Sequence, residues 1–137
     1  MSDLLRGCLF LKELNLSNFN PKNVTEIREM FYECLFLEKL NIPYFDISNA
    51  NVMSYMFYEC NSLIELNIFN FYCNNENKMY YMFYSCKSLI ELKIPNINVN
   101  NLTSMRCMFD GCSEQFKIKI KTKYPNIKEE AFIIDKY

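Results

Sequence analysis

Five cysteines recur at a fixed interval of 26 residues, and this spacing restricts the possible folds more than any other feature of the chain. They are Cys8, Cys34, Cys60, Cys86 and Cys112, called the cysteine column below. The same short word ends on each of them: LLRGC, MFYEC, MFYEC, MFYSC and MFDGC. Self-similarity at a period of about 20–50 residues is the signature of repeat proteins, in which one small unit stacks on the next. The spacing therefore predicts an array of about five units.

Each unit carries two different apolar periodicities. A Leu-x-x-Leu-x-Leu/Ile motif begins three residues after each of the first four cysteines of the column, and its last step, Leu66 to Ile68, is the i, i+2 spacing of a strand. Upstream, Met53, Phe57 and Cys60 lie at i, i+4 and i+7, which is the spacing of one helix face. The sequence therefore predicts an α+β repeat protein. We expect a leucine-rich-repeat solenoid of about five 26-residue coils, each a short parallel strand plus a short helical segment.

The last unit departs from the pattern. The alternation of Lys117 and Lys119 with Ile118 and Ile120 predicts a fifth strand, whose lysines would protect the open edge of the array from pairing with another chain. The later repeated positions then no longer match the other units, as is typical of a terminal capping repeat. We predict one domain, with the leucine-rich repeat array over residues 1–121 and a C-terminal cap over residues 122–137.

The strand positions between the apolar residues vary from unit to unit. Because alternate strand residues face opposite sides, these positions must face outward and tile the concave surface in two rows. The first row is Glu13, Lys39, Glu65, Glu91 and Lys117, and the second is Asn15, Asn41, Asn67, Lys93 and Lys119. The predicted protein-binding residues are Glu13, Asn15, Lys39, Asn41, Glu65, Asn67, Glu91 and Lys93.

Composition argues against several function classes. The 15 basic and 16 acidic residues leave a formal net charge of −1, which offers no attraction for nucleic acid. No run of about 18 apolar residues is present, so we predict no membrane insertion. The absence of histidine excludes Ser-His and Cys-His catalysis, and no phosphate loop, HExxH, GxSxG or calcium-loop motif occurs. The sequence predicts a chain that is not an enzyme, with no catalytic residues, no cofactor and no metal.

The cysteine column permits a disulfide ladder, a metal site or reactive thiols, but burial explains it better. A cysteine on an apolar stripe behaves as a small hydrophobic residue, and an apolar environment keeps its thiol protonated. We therefore predict that all five are buried and reduced. Cys73 and Cys107 lie outside the column and are the candidates for reactive thiols, if they are exposed.

Tyrosines also recur at the 26-residue period. Tyr32, Tyr58 and Tyr84 form one column, and Tyr55 and Tyr81 form another. Such columns are typical of stacked rings at the edge of a core, and a ligand-binding aromatic strip is the alternative.

The MFxxC word, the SLIELNI word and the segment LSNFNPKNVTEIREMF together resemble the BspA-like leucine-rich repeats of bacterial, mycoplasmal and protist surface proteins. The resemblance extends from Leu4 to about Ile120. It implies a right-handed solenoid with a binding or adhesion role toward another protein or a cell-surface ligand. A structural spacer with no ligand of its own is the second hypothesis, and we expect a monomer. No signal-peptide pattern is present, so we expect a cytoplasmic location for the chain as it stands and a surface location for a piece of a longer relative.

Overall fold

The computed structural model describes residues 2–68, 78–94 and 104–134, and four short strands and one α-helix lie within them. The strands are β1 (Glu13–Asn15), β2 (Lys39–Asn41), β3 (Glu65–Asn67) and β4 (Glu91–Lys93). The helix is α1 (Glu114–Lys123), and a 3₁₀ turn follows it at Glu129–Ala131. Every strand begins five residues after a cysteine of the column, so the strand positions predicted from the Leu-rich motif are confirmed in these four units.

The strands pair in parallel with residues 26 positions apart. Leu14 lies beside Leu40 in the β1–β2 pair, and Leu66 lies beside Leu92 in the β3–β4 pair. In the described part of the chain no ladder joins β2 to β3, so these strands form two separate pairs. A second series of parallel bridges, also 26 residues apart, runs through Glu26, Val52, Lys78 and Ser104.

The core consists of stacked copies of the same side chain. The rings of Phe31, Phe57, Phe83 and Phe109 are nearly parallel, with successive centroids 5.1, 5.4 and 5.6 Å apart. The methionine before each ring is also buried. Because each ring fills the space between its two neighbours, the repeated residue type is a packing requirement of the stack.

The prediction of a short helical segment in each unit is wrong. Residues 27–34 and their copies form consecutive turns. The N–H of Phe31 donates to the carbonyl of Met56 in the next unit at 2.9 Å, whereas the N–H of Cys34 donates to Phe31 in its own unit at 3.2 Å. Donors thus alternate between the next unit and the preceding turn, and no continuous i to i−4 ladder forms. Each turn advances three or four residues, which explains why the apolar spacing imitates a helix.

A left-handed residue separates successive turns. The positive φ angles fall in two repeat columns. The first, inside the segment, is Asp3 (61°), Glu29 (58°), Tyr55 (59°), Tyr81 (56°) and Cys107 (54°). The second, at the end of the segment, is Gly7 (66°), Glu33 (56°), Glu59 (56°), Ser85 (59°) and Gly111 (73°). A left-handed conformation ends a right-handed helix at once, which is the physical reason that the segment cannot be helical. The only two glycines of the chain both occupy the second column.

The predicted fifth strand is also wrong, because Lys117 and Lys119 lie on α1. The hydroxyl of Ser113 accepts a hydrogen bond from the N–H of Phe116 and caps the helix, and Phe116 and Ile120 are buried one turn apart. A final strand would leave one edge without partners, whereas a helix satisfies its own backbone groups. The end of the array therefore favours a helix despite the alternating lysines.

Side chains of α1 and Tyr124 cover the outer edge of β4. Lys119 donates to the carbonyl of Ile90 at 3.3 Å, and Lys123 donates to Leu92 at 3.3 Å. The hydroxyl of Tyr124 continues the series by donating to Ile94 at 3.1 Å. These carbonyls would accept hydrogen bonds from a following strand. The lysines therefore do protect the edge of β4, but they lie on a helix and not on a fifth strand.

The segment proposed as the cap packs against the last aromatic ring. Phe132 lies 5.6 Å from Phe109 between centroids and is buried, whereas Ile133 and Ile134 are more than half exposed. The helix α1 extends across the predicted boundary between residues 121 and 122. No helix in the described ranges is long and apolar enough to cross a membrane.

Candidate functional site

All eight residues predicted to bind protein line a single groove of about 580 Å³. Three leucines, Leu14, Leu40 and Leu66, form part of its lining between the two polar rows. The arrangement follows from strand geometry, because the central leucine of each three-residue strand faces the core and its two neighbours face solvent. The structure therefore brings the predicted residues together, while their role in binding stays a prediction.

The two ends of the groove carry ion pairs. Lys39 lies 2.6 Å from Glu13, and this hydrogen bond raises the pKa of the Lys39 ammonium group. At the other end, Lys119 of α1 lies 2.9 Å from Glu91 and lowers the pKa of that carboxyl group by hydrogen bonding. The sequence predicts Lys119 in the second row on a fifth strand, but it contacts Glu91 of the groove from a helix. These four charges are thus already paired within the chain.

Two other charged residues of the groove, Glu65 on β3 and Lys93 on β4, are not paired in this way. Within the described residues, neither Glu65 nor Lys93 has an oppositely charged atom within 4 Å. The side-chain oxygen of Asn67 is buried and has no hydrogen-bond donor there. By contrast, the side-chain oxygen of Asn15 accepts from the N–H of Ser17 at 2.9 Å and from the amide of Asn41 at 3.2 Å. Unmatched polar groups are therefore concentrated around β3 and β4.

A strip of six half-buried tyrosines lies on the turn segments. The members are Tyr32, Tyr55, Tyr58, Tyr80, Tyr81 and Tyr84, of which the sequence columns identified all but Tyr80. Tyr58 lies between Tyr32 and Tyr84, with centroids 4.7 and 4.8 Å away, and both of its faces are therefore covered. Burial and the nearby Glu59 raise the pKa of Tyr58 to about 12. Because the ring faces pack against one another, the strip offers a ligand ring edges and hydroxyl groups rather than a stacking platform.

Four members of the cysteine column are buried, and Cys8 is half-buried. The prediction of five buried cysteines is thus wrong for Cys8, whose unit has no preceding unit beside it among the described residues. The thiol of Cys60 donates to the carbonyl of Phe31 at 3.2 Å, and the thiol of Cys86 donates to Phe57 at 3.1 Å. Each such thiol satisfies a carbonyl of the preceding unit.

Burial disfavours the thiolate form of these cysteines. It raises the pKa of Cys34 to about 11 and that of Cys112 to about 12. The six cysteines in the described ranges are unbridged. Cys107 is buried and its thiol donates to the carbonyl of Ile133 at 3.1 Å, so it does not meet the condition of exposure set for a reactive thiol. Cys73 lies outside the described residues.

The model of the family described as "Mycoplasma protein of unknown function, DUF285" matches residues 1–123. The chain belongs to this family. The DUF285 family is related to the BspA-like repeat proteins. Neither the curated proteins nor the solved structures include a significant match to the chain.

Proposed function

We propose that this DUF285 chain is a BspA-like leucine-rich-repeat solenoid that acts as a non-catalytic recognition module and binds another protein through its strand groove. The observation that carries the proposal is the convergence of all eight outward strand residues on one groove with leucines in its lining. The lining combines leucines with charged and amide side chains, and protein interfaces contain both apolar and polar groups.

The chemistry of the groove supports binding rather than catalysis. Its side chains are carboxylates, ammonium groups, amides and leucines, which hydrogen-bond, pair charges and pack. The buried thiols of the cysteine column are held protonated and are directed to backbone carbonyls. A thiol acts as a nucleophile only when ionised, so these groups are poorly suited to covalent chemistry.

A surface-adhesion role, a location at the cell surface and a monomeric state are parts of the same proposal. They are supported by the relation of the family to BspA-like repeat proteins.

The second candidate is a structural spacer within a longer array. It is favoured by the apolar surface of the first unit, where Leu4 and Phe10 are exposed and Leu5 and Leu11 are only partly buried. The copies of Leu5 and Leu11 in the next unit, Phe31 and Leu37, are fully buried. A further unit stacked on this end would cover that surface.

A displayed library of random peptides tests the recognition proposal. Selection is made on the wild-type chain, and each enriched peptide is then measured against a variant with Lys39, Glu65, Glu91 and Lys93 all changed to Ala. A matched control changes three exposed lysines outside the groove, Lys22, Lys87 and Lys128, to Ala. We expect the groove variant to keep its circular dichroism spectrum and lose binding, while the control keeps both.

Two results would contradict recognition through the groove. Peptides that bind the folded groove variant as well as the wild type would place the site elsewhere, with the tyrosine strip next to be tested. A library with no enriched peptide would favour the spacer.

A further inference from the structure

Glu65 and Lys93, the two unpaired charges of the groove, lie within reach of one ligand. Asn67 is directly opposite Lys93 in the parallel pair of β3 and β4, and Glu65 is two residues before Asn67 on the same outward side. The groove therefore presents a carboxylate and an ammonium group on adjacent strands. A ligand that pairs with both must offer both a cation and an anion.

The spacing of these groups matches an extended polypeptide. Diagonal neighbours on adjacent strands, such as Glu65 and Lys93, lie about 7–8 Å apart. In an extended peptide, residues i and i+2 face the same side and are about 6.6 Å apart at 3.3 Å per residue. One basic and one acidic side chain at i and i+2 can thus reach both strands at once.

We propose that the groove binds an extended polypeptide segment carrying a basic and an acidic side chain two residues apart. The basic group pairs with Glu65, and the acidic group pairs with Lys93. This inference rests on the proposed function and names the chemistry of its partner.

The ion pairs of the groove explain why Glu65 and Lys93 decide the preference for a ligand. Glu13 is paired with Lys39, and Glu91 with Lys119, so these four charges add little net attraction for either sign. Only Glu65 and Lys93 present charge that no described neighbour within 4 Å neutralises. Selectivity for a mixed-charge partner follows, because a segment of one sign would meet a like charge at one of the two positions.

Four synthetic nonapeptides test the inference by fluorescence anisotropy. They share a neutral polar background and carry at their central i and i+2 positions Arg and Glu, two Arg, two Glu, or two Gln. The wild-type chain is expected to bind the Arg and Glu peptide about five-fold more tightly than any other, which corresponds to one exposed ion pair. Raising the salt concentration should reduce this preference.

Charge reversals should switch the order of the peptides. Glu65→Lys leaves two ammonium groups and should prefer the peptide with two Glu, whereas Lys93→Glu should prefer the peptide with two Arg. Lys87→Glu, an exposed change outside the groove, should keep the wild-type order. Circular dichroism confirms that each variant is folded.

An unchanged order in both reversal variants, or binding of none of the four peptides by the wild type, would overturn the inference. In either case the recognition proposal stands if library-selected peptides still lose binding to the fourfold Ala variant. If those peptides bind the fourfold Ala variant as well as the wild type, both the inference and the recognition proposal are contradicted.

Discussion

Gly7 and Gly111 occupy equivalent positions in the first and last units, and replacing each with Ala separates the cost of a left-handed backbone from the cost of a steric clash. Both have positive φ angles, 66° and 73°. Among the described residues, a Cβ at Gly7 would meet no atom within 4 Å. A Cβ at Gly111 would lie 2.9 Å from Oγ, 3.1 Å from Cα and 3.2 Å from the backbone N of Ser85.

The magnitudes follow from these distances. A left-handed Ala costs about 1–2 kcal/mol, and the reduced freedom of the unfolded chain returns about half of this, so Gly7→Ala should cost about 1 kcal/mol. At Gly111 the Ser85 hydroxyl can rotate away, but its Cα and N cannot move freely because that N–H donates to Asp110 at 2.7 Å. Overpacking adds about 1–3 kcal/mol. We expect Gly111→Ala to cost about 2–4 kcal/mol.

Urea denaturation followed by circular dichroism measures both free energies of unfolding. The midpoint of Gly111→Ala should fall by about 1 M or more below that of Gly7→Ala, with similar slopes. In a Ser85→Gly background the contact to Oγ is absent and the contacts to Cα and N remain, so the penalty should be only partly relieved. Equal costs for the two glycine substitutions, within about 0.5 kcal/mol, would refute the close approach of the last two units.

Phe83→Ala should reduce the free energy of unfolding by about 3–5 kcal/mol, because the ring is stacked on both faces. Phe36→Ala, at a half-exposed position, should have little effect. Similar losses of stability for the two variants in urea denaturation would argue against the stack. Alkylation followed by mass spectrometry should modify Cys8 faster than the four buried cysteines of its column, and equal rates would contradict their burial. Because burial raises the pKa of Cys34 to about 11 from about 9, the folded chain retains protons that the unfolded chain loses. The melting temperature should therefore fall as the pH rises from about 9 toward 11, and a constant value across that range would oppose the effect. Deleting residues 124–137 removes Phe132 from the core and should produce oligomers in light scattering, so a monomer with an unchanged melting temperature would show that the segment is dispensable.

The strands and the groove were predictable because they depend on a simple alternation. Leu14, Leu40, Leu66 and Leu92 mark the inward side of each strand, and the residues on either side must then face outward. The ion pair between Glu91 and Lys119 was not predictable in this way, since it depends on a helix that approaches from outside the repeat.

The turn segments were misassigned because apolar spacing alone does not distinguish a helix from consecutive turns. The signal that separates them was present in the glycines, since Gly7 and Gly111 share one repeat column with Glu33, Glu59 and Ser85. A column that accepts glycine in its first and last copies indicates a left-handed conformation in all of them.

The helix α1 was mistaken for a strand because its lysines and isoleucines alternate. Its cap, Ser113, and the acidic residue in its first turn, Glu114, are helix-start signals that compete with this alternation. The segment forms a helix and not a strand because it lies at the end of the array, where a strand would expose an unpaired edge. That is a property of the whole stack and not of the local sequence.

Scalar couplings across hydrogen bonds, observed by nuclear magnetic resonance on the labelled chain, test most directly whether successive units stack through their turns. The structure predicts cross-peaks from the N–H of Phe31 to the carbonyl of Met56, from Phe57 to Met82 and from Phe83 to Met108, each 25 residues apart and each at 2.9 Å. Cross-peaks between residues i and i−4 within residues 53–60, in place of these long-range couplings, would show a helix in each unit and contradict the account.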